Sequence, residues 1–383
     1  EKTAFGYVKN YFEEHGQPKR YCEINRLVKG CTGIRRTTGQ HPGGIIVLPH
    51  GEEIEKFTPV QHPANDVNSD IITTHFDYHS IDGNLLKLDI LGHDDPTMIR
   101  MLEDLTGTDA KEVPLDNPEV MSLFASTKAL GIEPKDIGGC PLGCLGIPEF
   151  GTDFVIGMLQ DTKPTCFSDL VRISGLSHGT NVWLGNAQEL IRQGKATIST
   201  AICTRDDIMG YLINQGVESS QAFTIMESVR KGKGLKPEWE ETMKANHVPD
   251  WYIWSCKQIS YMFPKAHAAA YVMMAYRIAW YKIFYPLAYY AAFFSIRATN
   301  FSYEVMCMGK EKLEYYMDEI HKKGDAATKK EQDMVKDMKI VQEMYARGFE
   351  FMPLDLYKAK AHRFQIIDGK LMPSLDAIEG LGD

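Results

Sequence analysis

Lys87 and Asp89 sit two residues apart inside the apolar run Leu85-Leu86-Lys87-Leu88-Asp89-Ile90-Leu91-Gly92. The leucines, the isoleucine and the closing glycine read as a buried or half-buried strand, on which the two charges share a face. A charged pair on an otherwise apolar strand is costly unless something pairs with it: another side chain, a metal ion or a phosphate. On these residues alone the simpler reading is an internal Lys–Asp pair at a sheet edge. Upstream, Gly33 to Pro49 form a glycine-rich loop feeding an apolar strand, Ile45 to Leu48. Arg35, Arg36, Gly39, His41, Gly43 and Gly44 give that loop cations and a backbone able to approach a ligand closely, which suits phosphate. No Gly-Lys-Ser/Thr follows, so it is not a Walker loop; a strand follows the glycines, so it is not a dinucleotide fingerprint. An ordinary glycine turn accounts for its shape about as well. His75-Phe76-Asp77-Tyr78-His79 places two imidazoles and a carboxylate on one strand face without a fourth ligand, which favours hydrogen-bonding roles over a metal.

More cations follow. Leu170 to Thr180 gathers Arg172, Ser174, Ser177 and His178 around two glycines. Glu227 to Gly234 ends a helix in a flexible basic tip with Arg230, Lys231 and Lys233, where a phosphate and plain solvent suit the helix end equally. Lys265 and His267 open the most apolar helix, at the end whose free N–H groups favour an anion. Cys140 and Cys144 have the spacing of half a zinc site. Cys203, His247 and Cys256 would have to complete it from afar, and free thiols are preferred because no second close pair exists.

The elements that must hold these groups divide the chain. Residues 3–14 read as a helix through Phe5, Val8 and Phe12, with a second amphipathic segment near Tyr21 to Lys29. Ile71 to His75 alternates weakly, and Asp82-Gly83 is a turn. Residues 71–91 therefore read as a hairpin whose second strand carries Lys87 and Asp89. Asp95 as N-cap and Pro96 at the first position open a helix with Met98, Met101, Leu102 and Leu105 along its stripe. The first boundary lies near residues 92–108; helices joined by Gly/Pro loops follow. Ala268 to Ala298, broken by Arg277, Lys282, Pro286 and Arg297, fits a buried helix pair rather than a membrane span. Glu311 to Tyr345 reads as one or two exposed helices broken at Gly324. The fold class is α+β, mainly helical, and 383 residues suggest two or three domains. The net charge of -9 argues mildly against nucleic acid, yet the local basic clusters allow a basic groove. Glu1-Lys2-Thr3-Ala4-Phe5 lacks the apolar core of a signal peptide, and eight cysteines at this length point to reduced thiols in a cytoplasm.

Six runs together carry a resemblance. They are Arg36-Thr-Thr-Gly-Gln-His-Pro-Gly-Gly-Ile-Ile-Val47, Thr73-Thr-His-Phe-Asp77 and Leu86-Lys-Leu-Asp-Ile-Leu-Gly-His-Asp-Asp-Pro-Thr-Met-Ile-Arg100, then Gly175-Leu-Ser-His-Gly-Thr180, Met226-Glu-Ser-Val-Arg-Lys-Gly-Lys-Gly234 and Met262-Phe-Pro-Lys-Ala-His-Ala-Ala-Ala-Tyr271. In this order they resemble the polymerase core of the bacterial C-family replicative DNA polymerases, of the PolC type found in low-GC Gram-positive bacteria. The resemblance runs over nearly the whole chain. It implies a partial nucleotidyltransferase-like palm sheet followed by a large helical fingers domain. Residues 1–95 would be the later part of the palm, 96–300 the fingers, and 301–383 the start of a duplex-DNA-binding region, with a first hairpin opening at Gly380-Leu-Gly382.

The family also implies chemistry. Three palm aspartates hold two magnesium ions, and Asp89 falls on the third of them. The other two form an Asp-x-Asp pair, which this sequence lacks. The chain by itself is therefore expected to be a fragment without polymerase activity, since one aspartate cannot hold two metals. Lys87 would lie near the primer end or the phosphates. Arg172, His178, Arg230, Lys231, Lys233, Lys265 and His267 become candidates for the triphosphate or the template, and the glycine loop for a primer or phosphate role. A structural zinc would use Cys140, Cys203 and Cys256. The implied partners are primer–template DNA, deoxynucleoside triphosphates, and a sliding clamp and other replisome proteins through the full-length protein, with no membrane. Two other readings stand beside this one. A non-catalytic DNA- or nucleotide-binding module would need the basic clusters but not Asp89. An unrelated metal-dependent hydrolase would use His75, Asp77, His79 and Asp89.

Overall fold

The computed structural model describes residues 3–34 and 38–381. They form two compact units, Glu1–Gly92 and His93–Asp383.

The first unit opens with two helices, Ala4–Glu14 and Tyr21–Cys31. Thr3 Oγ1 accepts the Gly6 N–H at 3.1 Å and caps the first of them. Each helix buries one apolar residue, Val8 and Ile24. Strand β1 (Gly44–Val47) pairs antiparallel with β4 (Leu86–Asp89), setting Gly44 opposite Asp89 and Ile46 opposite Lys87. Between them in sequence, β2 (Val60–Gln61) pairs with β3 (Thr73–Thr74). The hairpin expected over 71–91 therefore does not form, because β3 and β4 take different partners. The Asp77 carboxylate accepts the His79 N–H at 3.0 Å and starts a short turn, Tyr78–Ser80. Ile81 and Leu85 are then buried, so the chain folds into the unit instead of doubling straight back.

Lys87 and Asp89 do share a face of β4, as their spacing requires. The burial expected of that strand is not found: Leu86 is 59% and Leu88 46% exposed. With Ile45 and Val47, which stand opposite them in the register, they form an open apolar face.

The second unit has one apolar core whose members run from Met98 to Ala377. The helix Asp94–Thr106 opens on His93, not on Asp95. His93 Nδ1 accepts the Asp95 N–H at 3.3 Å. Asp95 lies inside the first turn, buried, with its carboxylate 2.8 Å from Arg297 Nη1. A tertiary ion pair claims the side chain that local sequence assigned to a cap. The apolar stretch forms Lys265–Phe284 and Pro286–Ala292, with a widened turn at Phe293–Arg297. Pro286 separates the two helices because it has no N–H and its ring crowds the preceding turn. Among the described residues, no helix is long and apolar enough to cross a membrane.

The charged tail forms Lys310–Lys323 and Lys329–Ala346, broken at Gly324–Ala326. The second of these helices is not exposed: Met338, Ile340, Val341, Glu343 and Met344 are all buried. The cause lies in the apolar helix. Lys282, fully buried, donates to the carbonyls of Gly143 (2.8 Å) and Leu145 (2.6 Å) and meets Glu343 Oε1 at 2.8 Å. A buried ammonium needs such partners. Glu343 brings its whole helix against the core, and Tyr290 Oη donates to the same carboxylate at 2.7 Å. A hairpin of β5 (Gln365–Ile367) and β6 (Lys370–Met372) completes the unit. The Gly380-Leu-Gly382 run extends beyond the described residues.

Candidate functional site

In the first unit Asp89 stands among the cationic and ring side chains of the glycine loop and its own strand. Its carboxylate is about half exposed and lies 3.4 Å from Lys87 Nζ. Lys87 also sits over the Tyr78 ring, 4.9 Å from its centroid. The third neighbour is His41, whose Nε2 is 4.0 Å from Asp89 Oδ1. His41 Nδ1 accepts from the N–H of Gly44 at 2.6 Å and of Gly43 at 3.2 Å. A nitrogen that accepts carries no proton, so the proton sits on Nε2, the nitrogen facing Asp89. Gly44 is required for this arrangement, since a Cβ there would lie 2.8 Å from the imidazole Nδ1. The loop therefore presents a ring and a directed N–H, with the N–H groups of Gly43 and Gly44 already engaged. Gly39, His41, Gly44 and Lys87 line a cleft of about 770 Å³ in this unit. Arg35 and Arg36 lie outside the described residues.

His75, Asp77 and His79 hold structural bonds. His75 Nδ1 donates to Gln61 Oε1 at 2.7 Å, and Asp77 caps the turn that follows it. Among the described residues, no group of three or more His, Cys, Asp or Glu is arranged to hold a metal. Cys140, Cys203 and Cys256 are thus not assembled into a zinc site. Cys203 and Cys256 are free buried thiols packed in the apolar core. Burial pushes the Cys256 thiol up to about 12, which keeps it protonated and a poor ligand. Asp89, on an open strand face, offers oxygen donors of the kind magnesium takes, but one carboxylate is not a two-metal site.

In the second unit the sequence runs converge on residues 259–267. Thr180, at the end of the Gly175–Thr180 run, bridges to Tyr261, with Thr180 N–H donating to Tyr261 O at 2.9 Å. The basic tip arrives from another side. Gly232 has φ +71, and a Cβ there would fall 2.5 Å from Ser260 O, so only glycine lets the tip seat this closely. Arg205 N–H donates to Phe263 O at 3.1 Å, tying down the start of the helix Arg205–Asn214. Asp206 and Asp207 of that helix both reach Lys265. Asp206 Oδ2 accepts the Lys265 backbone N–H at 2.6 Å, and Asp207 Oδ1 takes its ammonium at 3.1 Å. One free N–H expected for an anion at this helix end is thus already met by a carboxylate.

His178, Phe263, His267 and Tyr271 make a ladder of rings. Successive centroids are 5.3, 5.0 and 4.3 Å apart. His178 Nε2 lies 2.9 Å from Glu149 Oε2, and this partner holds the His178 pKa above its ordinary value. Partial burial and then the His178 charge hold His267 below its own. Arg172 sits six residues before His178 on the same helix, 3.3 Å from Asp169. Arg230 chelates Glu227, with Lys231 3.2 Å from the same carboxylate, while Lys233 is exposed. The carboxylates at Glu149, Asp206, Asp207 and Glu227, and the cation Arg205, escaped a reading based on basic clusters. The only sequence signals for them were Asp206-Asp207 at a helix start and the glutamate three residues before Arg230. The assembled surface offers cations and imidazoles beside partly exposed rings, with Arg172, His178, Arg230, Lys231 and Lys265 each held by a carboxylate. That is a chemistry suited to phosphates and bases.

Comparison with known proteins matches this division of the chain. A family model described as the bacterial DNA polymerase III alpha NTPase domain matches residues 5–92. Another, the bacterial DNA polymerase III alpha subunit finger domain, matches residues 95–247. The chain is 56% identical over 383 residues to DNA polymerase III PolC-type of Clostridium perfringens. To the proteins of that name from Bacillus subtilis and Listeria monocytogenes it is 58% identical over 382 residues and 59% over 383. Each alignment takes in 100% of this chain and 26% of the relative, so the chain spans about a quarter of the length of the curated relatives it matches. With both family models in register with its two units, this chain belongs to the PolC-type DNA polymerase III family.

Proposed function

We propose that the chain supplies part of the palm and the fingers of a replicative DNA polymerase that extends a primer on a template. The observation that carries this reading is Asp89 on an open strand face with Lys87 and His41 directed at it. In this reading Asp89 is one oxygen ligand of a magnesium site whose other carboxylates come from the rest of the full-length protein. Magnesium, when bound, would polarise phosphoryl oxygens and favour the attacking 3′ alkoxide. Lys87 would offset charge on the phosphates, and the Nε2–H of His41 would hold the Asp89 carboxylate in orientation, as outer-shell donors commonly do.

The cations around residues 259–267 would take the triphosphate of an incoming deoxynucleotide or the phosphates of the template strand. Arg172, His178, Arg230, Lys231, Lys233, Lys265 and His267 are the residues assigned to that work. Residues 301–383 would lead into duplex-DNA binding. The full-length protein would meet a sliding clamp and the other replisome proteins in the cytoplasm.

The test is Asp89→Asn in the full-length polymerase that carries this segment. Primer extension should fall by roughly a thousandfold or more, the scale on which losing a metal-held charge acts in transition-state terms. Affinity for primer–template should stay within about twofold, because Asp89 is not a phosphate-binding cation. The basic clusters alone would serve the second reading, a non-catalytic DNA- or nucleotide-binding module, for which Asp89→Asn would leave function intact.

A further inference from the structure

Glu227 is shared by three cations that come from two parts of the chain. Arg230 Nε donates to Oε1 at 2.8 Å and Nη2 to Oε2 at 2.7 Å, a two-pronged grip. Lys231 Nζ lies 3.2 Å from Oε2, and Arg205 Nη1 4.0 Å from Oε1. Glu227 and Arg230 close the helix Ser219–Arg230, whose C-terminal end favours positive charge. Arg205 opens the helix Arg205–Asn214 and is fixed by its N–H bond to Phe263 O. An ordinary helix-surface pair needs one cation for one carboxylate. Here one carboxylate faces three cations, which leaves an excess of two positive charges. The Arg230 grip pushes the Glu227 carboxyl down to about 2, so it stays ionised throughout the physiological range. Every member is only partly covered, from 22% exposed for Glu227 to 51% for Lys231.

We propose that Glu227 is a positioning residue: it gathers Arg205, Arg230 and Lys231 into a preformed cationic cluster that takes a phosphate group. The inference rests on the polymerase reading, in which that phosphate belongs to a nucleoside triphosphate or to a nucleic-acid backbone. Guanidinium groups already aligned by a carboxylate lose less freedom when they close on an anion. The proposal has a sign that simple electrostatics does not share. Removing the Glu227 charge raises the net positive charge of the cluster, so attraction alone predicts tighter binding of any polyanion. Loss of positioning predicts weaker binding.

The experiment uses the whole chain and its Glu227→Gln, Glu227→Asp and Arg230→Lys variants, with two probes. Inorganic tripolyphosphate is titrated calorimetrically, and a fluorescein-labelled oligothymidylate is followed by anisotropy. The expected result is binding by the unaltered chain, weakened roughly tenfold in Glu227→Gln, the scale of one lost charge-assisted hydrogen bond. Glu227→Asp should recover part of the loss. Arg230→Lys should weaken binding with its charge retained, which keeps the test open should Glu227→Gln fail to fold. Weakening confined to tripolyphosphate assigns the cluster to the triphosphate; weakening confined to the oligonucleotide assigns it to the strand. Unchanged or tighter binding of both probes in Glu227→Gln overturns the proposal, as does an unaltered chain that binds neither. No readout here involves primer extension, so a failure of the polymerase reading at Asp89 is seen separately.

Discussion

His178 shows what a single side chain does at this surface. Its Nδ1 faces the Ser174 carbonyl at 2.7 Å and its Nε2 faces the Glu149 carboxylate at 2.9 Å. Both partners accept, so the arrangement favours the doubly protonated ring. Glu149 raises the His178 pKa above its ordinary 6.5. A raised histidine contributes stability that is fully present below its unfolded value and lost as pH rises through the folded one. Glu149→Gln should therefore bring the His178 ring titration back down, read from its proton NMR shifts; an unmoved titration contradicts the pairing. The sequence showed His178 and Lys87–Asp89 as chemistry but not their surroundings. Spacing of two on a strand is enough to place Lys87 and Asp89 on one face. It says nothing of Glu149, 29 positions before its partner and held at φ +72.

At the scale of elements, breaks were legible because they are local: Pro286 and Gly324 each stand where a helix starts or stops. The cap read at Asp95 was not, because a distant Arg297 takes its side chain and His93 caps the helix instead. Burial was less legible, since it depends on distant partners. The helix Lys329–Ala346 reads as a charged surface helix until Lys282 is seen, 61 positions away, buried against Glu343. Lys282→Met should cost about 3–5 kcal/mol in urea unfolding, because it leaves Glu343 buried without its cation. Adding Glu343→Gln should recover much of that; equal loss in the double variant would mean packing, not charge, holds the junction. Asp337 on the same helix gives a pH signature. Burial raises its carboxyl to about 6, against the help of the Asn300 N–H at 2.9 Å. Between its ordinary 3.8 and that value the folded state keeps a proton the unfolded state has lost, so stability falls as pH rises through this window. Asp337→Asn should flatten that fall, worth on the order of 2 kcal/mol between pH ~4 and ~7. Melts as steep as those of the unaltered chain would contradict it.

At the scale of the whole molecule, the chain divides after Gly92 into two units. A further boundary at residue 300 is an expectation from the resemblance alone. Met306, Leu313, Val341, Phe351 and Leu371 belong to the same core as the helices before them. A chain ending at residue 300 should thus melt without cooperativity, while residues 93–381 should melt as one transition by circular dichroism. Two separate transitions in the longer piece would support the boundary.

The most direct test of the central claim is a transplant. This 383-residue segment would replace its aligned counterpart in the Bacillus subtilis relative, to which it is 58% identical, and primer extension would be measured with and without Asp89→Asn. The account predicts extension within about tenfold of the unmodified relative, given conservative core replacement, and its loss in the Asp89→Asn chimera with primer–template binding retained. A folded chimera that binds DNA but does not extend, or one whose extension survives Asp89→Asn, would contradict it.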